Sequence, residues 1–128
     1  RTAIVSLSPR LRSRPSPKTM VRVTVFQERG TPVGFELTGH ADAGAYGEDV
    51  VCAGISAIAE TALLGITDVL KLDAAWTRQE GHLRCELNRD TSPEDMAKAA
   101  IVFNTMIAGL TSLQQGYPKS LKFSYREV

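Results

Sequence analysis

Two cysteines (Cys52, Cys85) and two histidines (His40, His82) are all the thiols and imidazoles in these 128 residues. That is too little for a disulfide scaffold, and the free thiols point to a reducing compartment, hence to the cytoplasm. Aromatic residues make up only 6% of the chain. The strands accordingly lack the paired exposed aromatics on which an RNA-binding sheet stacks bases. No apolar run approaches the roughly 20 residues that span a bilayer. The longest is interrupted by Ser56, Glu60 and Thr61. Acidic residues are missing from 1–19, which carry Arg1, Arg10, Arg12, Arg14 and Lys18. The rest holds ten basic against fourteen acidic residues, a net of −4. A domain of that sign argues against direct nucleic-acid binding and suits a basic partner.

What is present is one domain's worth of ordinary globular sequence, 43% hydrophobic and 23% charged. Residues 1–19 are rich in Ser, Pro and Arg, show no strand or helix period, and read as a disordered basic leader or an extension foreign to the fold. A single domain is expected over 20–128. Val21–Gln27 and Val33–Thr38 alternate as two strands of a hairpin. In the first, Val21, Val23 and Val25 share one face, and Arg22, Thr24 and Phe26 the other. Val50–Leu70 has helical spacing, with Val51, Ile55, Ile58, Ala62, Ile66 and Val69 facing the core. Asp49 is placed to cap it. Ala74–Gln79 and His82–Asn88 form a second hairpin, and Trp76 and Phe35 are expected in the core or an interface. Ser92-Pro93 opens a second helix whose stripe is Ala99, Val102, Phe103, Met106, Leu110 and Leu113. Gly116 and Pro118 end it. Leu121–Tyr125 is a last strand. The order β-β-α-β-β-α-β predicts an α+β fold, a mostly antiparallel five-stranded sheet with two helices packed on one face.

One stretch carries chemistry. Gly39–Ser56 reads GHADAGAYGEDVVCAGIS. With Asp49 as cap, Cys52 is the third helical residue, where the helix dipole and a nearby imidazole both favour a thiolate. The unpaired amides there would suit an oxyanion. A free cysteine is otherwise a small buried hydrophobe. His40 lies just past a strand end, in a loop mouth, where a general base would sit, or simply as a surface histidine. A two-Cys, two-His zinc site is disfavoured by strand parity. His82 and Cys85, three apart on one strand, face opposite sides, which makes Cys85 core and His82 a solvated turn-edge residue. Ser56, one turn beyond Cys52, either bonds back to a carbonyl or lines the site.

Gly39-His40-Ala41, then Gly47-Glu48-Asp49-Val50-Val51-Cys52-Ala53, then Ser56, resembles the ribosomal-processing cysteine protease (Prp) family from Met20 to the end of the chain. The resemblance implies a homodimeric cysteine endopeptidase that trims the N-terminal extension of a large-subunit ribosomal protein. It implies Cys52 as nucleophile and His40 as general base, with Asp49 and Ser56 in supporting positions of less defined role. It also implies a glycine-rich loop through Gly44, Tyr46 and Gly47 that orders over substrate. No metal, cofactor or membrane is implied. The alternative is a non-catalytic module that binds a basic ribosomal protein, with Cys52 merely buried.

Overall fold

A computed structural model of the chain describes residues 20–39 and 46–128, the side chains of 46–49 excepted. The elements are β1 (Val21–Glu28), β2 (Thr31–Thr38), α1 (Tyr46–Leu64, continued by one π-helical turn, Gly65–Val69), β3 (Ala74–Gln79), β4 (His82–Leu87), α2 (Pro93–Gly116) and β5 (Leu121–Glu127). The order expected from the sequence is the order found. The sheet runs β3-β4-β2-β1-β5. Three of its pairings are antiparallel, and β1–β5 is parallel, so the sheet is mixed.

Each hairpin turns where the backbone needs a left-handed residue. Between β1 and β2, Arg29 (φ 53°) and Gly30 (φ 83°) are both left-handed, the pattern of a type I′ turn whose twist matches the strands. A bulge between Phe26 and Gln27 brings Gln27 opposite Pro32. It accommodates a proline that has no N–H for a regular ladder. The second hairpin turns at Gly81 (φ 79°).

The helices cover one face of the sheet. Val21, Val23, Val25, Phe35, Leu37, Leu83 and Cys85 meet Val51, Ile55, Ala59 and Ile66 of the first helix and Ala99, Phe103, Met106 and Leu110 of α2. Phe35 and Phe103 meet edge to face, ring centroids 6.0 Å apart. Small residues let the helices approach: a Cβ on Gly65 would lie 3.0 Å from Val102, and one on Gly109 3.5 Å from Ile58. In α2 the Ser92 hydroxyl accepts from the Asp95 amide at 3.1 Å, as its sequence predicts.

Several expectations change. Val69, placed on the core stripe by its spacing, is 76% exposed. The wider π turn that ends the helix breaks the 3.6-residue phase just before it. Trp76, expected in the core or an interface, is 56% exposed on the edge strand β3 and so is not in the core. Phe26, on the polar face of β1, is fully buried there. The Arg84 and Arg126 guanidiniums lie over its ring at 4.7 and 4.8 Å and cover it from that side. By length and mean hydropathy (1.8 and 1.4), Val50–Val69 and Pro93–Gly116 would both qualify as membrane spans. Ser56, Glu60 and Thr61 thus interrupt the first less than the sequence suggests. In the fold both helices lay their apolar stripes on the sheet.

Candidate active site

The site is built where β2 releases the chain and α1 begins. Gly39 has φ 82°, and its amide donates to the Gly81 carbonyl at 3.0 Å. A Cβ there would approach the Met20 carbonyl oxygen to 2.9 Å. Only glycine fits this exit. It ties the strand end to the β3–β4 turn and starts the segment that carries His40.

His40 and Gly44 lie outside the described residues. Tyr46 and Gly47, expected in the substrate-covering loop, are instead the first two residues of α1. Asp49, expected to cap the helix, is its fourth residue. The reason is electrostatic: Glu48 and Asp49 favour a helix N-terminus from within its first turn as well as from the cap. Gly47 opposes the extra turn by only about 1 kcal/mol.

Cys52 is therefore the seventh residue of α1, not the third. At 1.5 Å per residue it lies about 9 Å along the axis from the helix start. The dipole fades beyond the first turn, so it does little for this thiol, and the unpaired amides at the helix start are out of its reach.

The thiol sits at the margin of the core. Cys52 is half-buried and packs against the core cluster, while Val51 and Ile55 beside it are buried and Ala53 is exposed. Ser56, four residues on, is also half-buried. Glu60, four further, accepts a 2.8 Å bond from Arg78 of β3. This row of α1 thus faces the β3 side of the sheet.

The other thiol is different in kind. Cys85 is fully buried opposite Phe35, and burial pushes it up to about 12, with Glu86 adding to the rise. His82 points to the other face, as parity predicts. It is no solvated edge residue, since its Nε2 lies 2.6 Å from Glu36 Oε2. Sequence reasoning had no signal for that bond, because it joins β4 to β2 across a register only the fold sets.

A family model described as cysteine protease Prp matches residues 20–122. The ribosomal processing cysteine protease Prp of Staphylococcus aureus (strain Mu50) is 30% identical over 109 residues, 83% of this chain and 97% of that protein. The protein of the same name from Bacillus subtilis (strain 168) is 27% identical over 110 residues, 80% of this chain and 95% of its own length. Among solved structures, SMU.848 from Streptococcus mutans superposes with a TM-score of 0.75 at 25% identity, covering 86% of this chain and 97% of that one. Prp from S. aureus in complex with a substrate peptide gives 0.71 at 23% identity, covering 84% of this chain and all of that one, and shares the fold.

Proposed function

This chain belongs to the Prp family of cysteine proteases, and from that premise we propose that it removes the N-terminal extension of a large-subunit ribosomal protein, with Cys52 as nucleophile and His40 as general base. The observation that supports the assignment is the contrast between the thiols. Cys85 is locked in the core, whereas Cys52 lies at the core margin on α1.

The imidazole takes the Cys52 proton and the thiolate attacks the scissile carbonyl. The tetrahedral intermediate collapses, the C–N bond breaks, and the imidazolium protonates the leaving amine. Water, deprotonated by the same imidazole, then hydrolyses the thioester and restores the thiol. No step calls for a metal or cofactor. Ser56 lines the Cys52 row. Glu80, next to the Gly81 carbonyl that anchors Gly39, and the net of −4 over residues 20–128 supply negative charge. That charge favours a basic peptide.

The same reading includes a homodimer acting in the cytoplasm. An open groove of about 490 Å³ runs between the helices, lined by Ile58, Ala62, Gly65, Val102, Met106 and Gly109. Leu64 (46% exposed) and Ile101 (69%) add apolar surface to this layer. That face suits pairing with a second copy. Ile101→Lys is expected to shift the protein to monomer in sedimentation analysis while its circular dichroism stays unchanged. A wild type that is monomeric at micromolar concentration would exclude the dimer.

The direct test is cleavage of peptides spanning the ribosomal protein's extension. Cys52→Ala is expected to abolish turnover, and His40→Ala to lower kcat/KM by about 10²–10⁴. Tight peptide binding by the wild type without turnover would favour a binding module instead.

A further inference from the structure

The net charge of −4 beyond residue 19 hides a segregation that the sheet creates. On the face without helices, register aligns Lys122 beside Arg22, and Arg126 beside Phe26. The only carboxylates among these inner positions of β1, β2, β4 and β5 are Glu36 and Glu86. Both are already engaged: Arg84 bonds Glu86 at 2.9 Å and lies 3.7 Å from Glu36, which also holds His82. Among the described residues, Arg22, Lys122 and Arg126 have no carboxylate partner, and all three are exposed. Lys122 and Arg126 are four residues apart on β5, about 13 Å. Arg22 stands one strand over, about 4.8 Å from Lys122 across the ladder. The result is a strip of three uncompensated cations on a domain that is acidic elsewhere.

We propose that this strip is a docking surface for the phosphate backbone of RNA. Its chemistry fits a hydrated polyanion. Thr24 and Ser124, hydroxyls 3.2 Å apart, lie between the cations. The Arg126 guanidinium carbon lies 4.8 Å from the Phe26 ring centroid, a cation–π contact that leaves its N–H groups available to a phosphate. A lipid surface fits poorly. The aromatic on this face, Phe26, is fully buried, and three bases without an apolar anchor supply only about 1 kcal/mol each. Outside the described residues the sequence carries five more cations, Arg1, Arg10, Arg12, Arg14 and Lys18. The net charge of residues 20–128 pointed away from nucleic acid because a sum cannot register which face the acids occupy.

The test uses the full chain and a fluorescein-labelled single-stranded RNA of mixed sequence, about 20 nucleotides long. Three phosphate contacts give a slope of log K against log salt of about −2. Raising salt from 50 to 200 mM should then cost at least about 20-fold in affinity. Arg22→Glu/Lys122→Glu should weaken binding about tenfold or more and flatten the slope by about 1.5, with peptide cleavage unchanged. These two positions leave the Phe26 cover intact. Three results would overturn the proposal: no binding at 50 mM salt, binding unaffected by the double variant, or equal retention on phosphatidylglycerol vesicles. Loss of binding only in Arg10→Ser/Arg12→Ser/Arg14→Ser would likewise assign the RNA to 1–19 and overturn the strip. Cleavage is measured in parallel, so a failure here leaves the peptidase reading standing.

Discussion

Burial holds the Cys85 thiol near 12, about three pH units above its ordinary value near 9. In the unfolded chain that proton leaves near pH 9, and in the folded protein only near 12. Between those values the unfolded state binds fewer protons, so stability falls as pH rises. The melting temperature of the wild type is expected to drop more steeply from pH 9 to 11 than that of Cys85→Ala, in matched thermal scans. At pH 8, iodoacetamide should modify Cys52 alone in the native protein and both thiols in urea, read by mass. Gly39 gives a second prediction at this scale. Gly39→Ala imposes a left-handed alanine, which costs about 1–2 kcal/mol, and drives its Cβ against the Met20 carbonyl. Denaturant unfolding should show at least that loss. Cleavage should fall with it, because the segment bearing His40 leaves from this residue. The sequence singled out Cys52 and His40 through the pattern around them, and the fold puts Cys52 at the margin of the core. The sequence left the helix start unreadable, because Asp49 fits a cap and a first turn equally well.

Among the elements, the strands and helices were legible where a period runs without interruption. Val21, Val23 and Val25 alternate through β1, and Ala99, Phe103, Met106 and Leu110 mark one side of α2. Interruptions were not legible. The π turn at Gly65–Val69 begins at Gly65, which packs closely against Val102 of α2, a contact no local pattern records. Burial of Phe26 depends on arginines from two other strands. The β1–β2 turn offers a correction in the other direction. Arginine is a poor choice for the left-handed first position of a type I′ turn, and asparagine a favoured one. Arg29→Asn should stabilise by about 0.5–1 kcal/mol, seen as a higher denaturation midpoint at unchanged slope. The backbone amide of residue 29 would still donate to Glu127.

For the whole molecule, the order of elements predicted an α+β domain but not how its surfaces divide. A basic strip lies on the open face of the sheet, and apolar surface is left in the groove between the helices. Each depends on which residues the register brings together. The parallel pairing of β1 with β5 also governs timing. Thr24 and Ser124, side by side in the sheet, are 100 residues apart in the chain. A ribosome adding about 5–20 residues per second makes β1 roughly 5–20 s before its partner exists. Until then β1 is an edge strand, and its valines lack the neighbour that completes their cover. A protease built this way cannot finish its sheet, and so is not expected to cut, until β5 has been made.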